Sequence, residues 1–340
     1  MHYNGGKARR PEGRRGEGCQ VTEASWARPQ DRYEIVDFCD LVFSKAHCPH
    51  DFTTLLPKLY GAGGDGAAHH FLLREDGHIV ATVLAYPVPV HIAGQTLLSL
   101  GVGSVSTHPR CRGRSFMQTL LAAVDDKARE LGADFAVLGG QRQRYEHFRY
   151  VHAGYQLRGT LTPDNVRHAL RTVSCEGYAL APMTQADVPA ALALHTAQPS
   201  YCVRREDAFL DVLRSWNAQP VTLTLDGAFI GYASLIPGER GCRVQELLLA
   251  DEGHAPAVLK LLSGAYGELS LIAAPWEAGR AARIAALCED YAIVHNNCVK
   301  FYRPARVAAA LSALGCGGDA LTQTGFALPL PLFIAPADCV

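Results

Sequence analysis

Apolar and polar positions follow one of two periods along most of the chain, and the places where the period changes mark the elements. Tyr33, Val36, Phe38, Val42 and Phe43 predict a helix from about Asp31, and a second is expected around Phe52 to Tyr60. The run 62–67 is a glycine-rich linker. His70 to Leu73, an Asp76-Gly77 turn and the run from Ile79 to Val90 read as a hairpin. Ala93-Gly94 turns the chain again, into a strand ending Val102-Gly103-Ser104-Val105-Ser106-Thr107 with polar atoms at every second position. His108-Pro109 stops that strand, and from Phe116 the residues Leu120, Leu121, Val124, Ala128 and Leu131 recur at helical spacing. Ala133 to Gly140 is a further buried strand.

The order then repeats. Tyr178 opens a new unit with Pro182-Met183-Thr184, a helix from Val188 to His195 and a strand over Val221 to Leu225. An Asp226-Gly227 turn leads to strands over Phe229 to Ile236 and Val244 to Leu249. After Arg306 come a helix to Leu314, a glycine turn and an apolar tail from Gly325 to Val340, too apolar to be left in water.

Composition narrows the function classes. A chain of 340 residues suits two domains, each with a sizeable core. The formal charge of -1 offers no basic field, so nucleic acid is not an expected partner. Eleven cysteines without a CxxC pair point to reduced thiols and a cytoplasmic protein. His47-Cys48-Pro49-His50 reads as a loop, since adjacent ligands rarely converge on one ion and no matching second half exists; no metal is expected. No apolar run approaches the ~20 residues of a membrane span, and no membrane partner is expected. Residues 1–24, rich in Gly and Arg with almost nothing to bury, read as a disordered basic tail.

Chemistry concentrates between strand and helix. A helix start has unpaired N–H groups and a positive dipole end, so Arg112-Gly113-Arg114 just before Phe116 suits a phosphate or pyrophosphate. The segment 107–121 (THPRCRGRSFMQTLL) resembles the acetyl-CoA motif of the GCN5-related N-acetyltransferases (GNAT superfamily), and in particular the two-domain Eis type. Registered on Pro109, Ser115 and Met117 stand where the superfamily has glycine-like residues; registered on Arg110, the spacing to Gly113 and Ser115 fits more literally but Pro109 sits too close. The serine costs little if its backbone is helical.

The resemblance implies an α+β fold of tandem GNAT-like domains, each a mixed, mostly antiparallel central sheet flanked by helices. It divides the chain into a catalytic domain at 25–163, a connector at 164–177, a degenerate GNAT-like domain at 178–305 and a returning helix and tail at 306–340. It also implies the cofactor site. Val105, Ser106 and Thr107 would contact the acetyl and pantetheine amides, one N–H polarising the thioester carbonyl. Arg112, Gly113, Arg114, Ser115, Phe116, Met117 and Gln118 would hold the pyrophosphate, with Gly140 and Gln141 along the thiol end. The segment 145–150 is similar to the Tyr-x-x-Phe-x-Tyr segment of Eis-type enzymes, which places the general acid at Tyr145, with Tyr150 and Tyr155 as competitors. A phenol near pKa ~10 is a fitting donor to the departing thiolate.

In the second unit the counterpart of the phosphate loop, Ala250-Asp251-Glu252-Gly253-His254, has two acids and no arginine, so no cofactor is expected there; an unrelated α/β module is the alternative. The tail either brings Asp338 or the Val340 carboxylate to Tyr145 or ends as an edge strand. Glu146, His147 and Asp338 are candidates for the base that removes the amine proton. The expected activity is acetyl-CoA-dependent N-acetyl transfer to a primary amine of a small molecule or a lysine side chain, through a tetrahedral intermediate. The alternatives are a non-catalytic acyl-CoA sensor or a tandem-GNAT transferase using another donor. Acceptor, acyl-chain preference and homo-oligomerisation stay open.

Overall fold

Three two-residue turns shape the sheet, and each places a non-glycine residue before a glycine, both at positive φ: Asp76-Gly77, Ala93-Gly94 and Asp226-Gly227. These are hairpin turns, whose twist matches that of the strands they join. The computed structural model describes residues 23–315 and 330–340. The expected tail therefore lies outside the described residues up to position 22, as does the start of the apolar terminus up to position 329.

The strands are β1 (Ser25–Trp26), β2 (His70–Glu75), β3 (His78–Ile92), β4 (Gln95–Thr107), β5 (Phe135–Leu138), β6 (Val151–Leu161) and β7 (Tyr178–Pro182). They continue as β8 (Ser200–Cys202), β9 (Gln219–Leu225), β10 (Ala228–Pro237), β11 (Gly241–Leu249), β12 (Glu268–Ala273) and β13 (Asp290–Phe301). All join one sheet in the order β1-β2-β3-β4-β5-β13-β6-β12-β11-β10-β9-β7, with β8 paired to β3. Two similar halves meet in its middle. In the first, an antiparallel meander ends in β4, which pairs parallel to β5. In the second, β9, β10 and β11 form the meander and β11 pairs parallel to β12.

Between the halves a strand is exchanged. β13, from late in the chain, lies between β5 and β6, while β6, from early in the chain, lies between β13 and β12. Each half thus completes its sheet with a strand of the other, and the two cannot separate without breaking both ladders.

Four helices frame the first half: α1 (Arg32–Ala46), α2 (Phe52–Leu55), α3 (Pro57–Tyr60) and α4 (Phe116–Leu131). The helix expected over Phe52 to Tyr60 is two single turns. Pro57 has no N–H to donate and forces Leu56 out of the helical region, to φ -130, ψ 63. α4 turns Phe116, Leu120, Leu121, Val124 and Ala128 onto the sheet, the stripe its spacing predicts except for Leu131, which is exposed at the last turn, while Ile35, Leu59 and Tyr60 of α1 and α3 belong to a separate core. No helix among the described residues is long and apolar enough to cross a membrane.

Residues 330–340 return across the sheet. Ile334 exchanges two hydrogen bonds with Asn296, its N–H to Oδ1 at 2.9 Å and its carbonyl from Nδ2 at 3.2 Å. The Lys58 ammonium donates to the carbonyls of Ala337 and Cys339 at 2.5 and 2.6 Å. Arg204 grips both oxygens of Asp338, at 2.9 and 2.8 Å. Val340 comes to rest on β4, where a Cβ on Gly101 or Gly103 would lie 2.7 or 2.8 Å from it. The two strand glycines are the clearance for the C-terminus.

Candidate active site

β4 and β5 pair only at Ser99 with Phe135, Leu100 with Ala136 and Gly101 with Val137, and then part. The divergence has a local cause. Between Thr82 opposite Ser106 and Leu84 opposite Gly103, two residues of β4, Ser104 and Val105, face the single residue Val83. Such a bulge bends its strand and leaves the extra residue out of the ladder. The cleft so opened encloses about 2010 Å³, its open mouth included.

Most of the expected residues line this one cleft. Val105, Ser106 and Thr107 form one wall, and Gly140, Gln141 and Tyr145 the other. Arg112 and Met117 line it from the loop before α4, and Val340 from the narrow end against Gly101 and Gly103. Gly113, Arg114, Ser115, Phe116, Gln118 and Glu146 are not among the residues that line it.

The loop explains part of that difference. At the start of α4 the N–H groups of Phe116, Met117 and Gln118 have no intrahelical acceptor, the first helical bond being Thr119 N–H to Ser115 carbonyl. Gly113, at φ +80, has nothing within 4 Å of a Cβ built on it. The Phe116 side chain is buried beneath the helix. The Arg114 side chain turns away from the cleft: it bonds both oxygens of Glu75, at 3.1 and 2.7 Å, and lies 4.8 Å from the centre of the Phe116 ring.

Ser115 corrects an expectation. Its backbone is left-handed, φ 60 and ψ 16, and its side chain caps nothing. It therefore bears the cost that a helical serine would have escaped. Ser115→Gly is expected to raise stability by about 0.5–1 kcal/mol, read as a higher urea midpoint at unchanged slope.

Of the three tyrosines, only Tyr145 lines the cleft. It closes the short helix α5 (Arg142–Tyr145), and its ring is 6% exposed. The ring packs edge-on to Tyr150, centroids 6.3 Å apart, and over Gly140, where a Cβ would lie 2.7 Å from it. Burial pushes its phenol above the ordinary value and Arg144 pulls it part of the way back, so it is protonated at neutral pH. Tyr150 is buried in the core under Lys300, and Tyr155 faces His295 across β6 and β13.

Two of the candidate bases stand elsewhere. Glu146 and His147 are exposed on the turn Glu146–Phe148. Asp338 is committed to Arg204, which also bonds both oxygens of Glu246, at 2.8 and 2.6 Å. Of the two tail carboxylates, it is the terminal residue, Val340, that shares the cleft with Tyr145.

His47, His50, Phe52 and Trp216 also line the cleft. The histidines were legible only as a loop, and Trp216 comes from the second half, with nothing in its sequence to link it to β4. Its φ of 66 is unusual for so bulky a residue. Among the described residues no group of three or more His, Cys, Asp or Glu could hold a metal ion.

Residues 27–156 match the family model described as an acetyltransferase (GNAT) domain. No curated protein matches the sequence. A GCN5-related N-acetyltransferase from Kribbella flavida has a similar structure at TM-score 0.64 and 14% identity, over 86% of this chain and 74% of that one. Eis1 from Mycobacterium abscessus is similar at TM-score 0.57 and 15% identity, over 87% and 76%. An N-myristoyltransferase from Saccharomyces cerevisiae, solved with bound myristoyl-CoA, is similar at TM-score 0.51 and 9% identity, over 84% and 79%. Residues 27–156 thus carry a GNAT acetyltransferase domain, and the fold in which it sits is the one found in GNAT N-acetyltransferases and in Eis1.

Proposed function

We propose that the chain transfers an acetyl group from acetyl-CoA to a primary amine, on a small molecule or a lysine side chain, by direct attack through a tetrahedral intermediate. One observation carries the reading. A single cleft joins a helix N-terminus with Arg112 to an amide-lined bulge, a buried protonated phenol and a chain terminus. The loop amides of 113–118 and Arg112 bind the pyrophosphate. The bulge amides of β4 polarise the thioester carbonyl. Tyr145 gives its proton to the thiolate as the intermediate collapses, and the Val340 carboxylate takes the amine proton.

In this reading 25–163 is the catalytic domain and 178–305 its degenerate partner, joined by 164–177 and closed by 306–340. The second phosphate loop is already satisfied by its own carboxylates. Asp251 accepts the N–H of Gly253 at 2.8 Å, and Glu252 pairs with Arg280 and Arg283 at 2.9 and 3.4 Å. An incoming phosphate would meet these acids first.

The test is thiol release from acetyl-CoA by the purified protein with a panel of amines, beside calorimetric binding. Turnover with at least one amine is expected. Arg112→Ala is expected to weaken acetyl-CoA binding about tenfold, the loss of one charge-assisted contact. Binding without turnover of any amine would favour a sensor, and absence of binding would exclude acetyl-CoA as donor.

A further inference from the structure

The bend in β4 is made by a residue ill suited to it. Ser104 has φ 48 and opens the bulge, a place where glycine is usual. Glycine stands at 101 and 103 but not here. The side chain of Ser104 is held instead. Its Oγ lies 2.9 Å from the Tyr60 hydroxyl, which lies 2.8 Å from Nε2 of His70, whose Nδ1 lies 2.7 Å from Oγ1 of Thr82.

Counting protons gives this chain a direction. Thr82 spends its only hydroxyl proton on the carbonyl of Phe71, at 3.0 Å. It must therefore accept from Nδ1–H of His70. His70 is fully buried, and burial holds it neutral, so its Nε2 bears a lone pair that accepts from Tyr60. The Tyr60 proton being spent, Ser104 donates to the Tyr60 oxygen. Four side chains thus fix one hydroxyl orientation, and Ser106 adds a bond from its Oγ to the carbonyl of Ser104, at 2.9 Å.

We propose that Tyr60 and His70 are positioning residues for acyl transfer: their hydrogen-bond chain keeps Ser104 in the left-handed conformation and so aims the bulge amide of Val105 at the thioester carbonyl. The inference rests on the acetyl-CoA reading above and adds to it how the amide is held. Neither residue touches the reacting atoms, and neither belongs to the family motif of residues 107–121. They reach the cleft only through the backbone of β4.

The test is a double-mutant cycle, because glycine adopts the left-handed conformation without help. Tyr60→Phe keeps the buried ring and removes the hydroxyl; Ser104→Ala breaks the same bond from the other end. Each is expected to lower kcat about tenfold or more with the acceptor found in the amine panel, and to narrow the preference for acetyl-CoA over CoA in calorimetry. In a Ser104→Gly background, adding Tyr60→Phe is expected to change kcat less than about twofold. Equal losses in the two backgrounds, or no loss from Tyr60→Phe in an active protein, would overturn the inference. A wild-type protein that binds neither CoA nor acetyl-CoA would overturn the functional reading instead.

Discussion

Replacing Arg204 by methionine is expected to cost about 3–5 kcal/mol of stability, the usual penalty for removing one partner from a buried ion pair. The guanidinium, with 1% of its side chain exposed, makes two hydrogen bonds to Glu246 and two to Asp338. Glu246 also accepts from the Tyr232 hydroxyl at 2.5 Å. With the half-buried Lys58 beside the tail, two cations face two buried carboxylates, and the group is neutral as a whole. Methionine would leave it with two anions and one cation. The loss should appear as a lower urea midpoint and as lower activity, because Asp338 anchors the segment that seats Val340 in the cleft. Adding Glu246→Gln to Arg204→Met should recover part of the loss, since Lys58 then balances Asp338. An unchanged midpoint in the single variant would refute the assignment. The acid limb follows from the same geometry. Burial pushes the Glu246 carboxyl up, but Arg204 outweighs it and holds the pKa at about 2. A carboxyl with a folded pKa below its unfolded value stabilises the fold above about pH 4.5, and that contribution is lost as the pH falls through about 2.

The grouping was not visible in the chain itself. Asp338 stood out only as a candidate base, while Glu246 sits in an apolar strand run and Arg204 in a stretch of charges, so each of these two alone resembles a solvated surface residue. Only the fold brings them together, and nothing local in 245–247 or 203–205 encodes it. The exchange of β6 and β13 was hidden for the same reason. Strand patterning says that a segment is buried, not which strand it lies beside, and the catalytic domain expected at 25–163 takes in residues 151–161 whole. By contrast, β4, its loop and α4 were legible because three independent local signals coincide there: a period of two, a proline stop and a period of 3.6.

The cleft was legible to the same extent as its chemistry is local. The loop residues and Tyr145 follow one another along the chain, and the resemblance named them. The bulge did not show, because Ser104 and Ser106 keep the alternation of an ordinary strand while the backbone slips by one residue between them. Gly101 and Gly103 read as small strand residues, and their use became plain only once Val340 lay against them. The left-handed serines at 104 and 115 share a physical theme. At both, a position suited to glycine carries a hydroxyl, but only Ser104 has a partner network to hold it.

Tyr145→Phe is expected to lower kcat about a hundredfold to ten-thousandfold, the range for losing a positioned proton donor, while acetyl-CoA binding stays within about twofold. Phenylalanine keeps the ring that packs over Gly140 and against Tyr150, so the cleft retains its shape and only the proton is lost. The pH profile separates this role from a packing role. Burial raises the Tyr145 pKa above its ordinary value, so the acid form is present throughout the neutral range and is lost only above about pH 10. The wild-type rate should therefore show a decline on the alkaline side that begins above that value and is absent in the variant, whose residual rate no longer depends on that proton. The size of the loss should also follow the leaving group. A donor thioester whose thiol is more acidic than that of CoA departs with less help, and the ratio of wild-type to variant kcat should shrink with it. A ratio that stays constant across donors, or a variant with wild-type turnover, would remove Tyr145 as the general acid and leave protonation of the thiolate to water or to another group in the cleft.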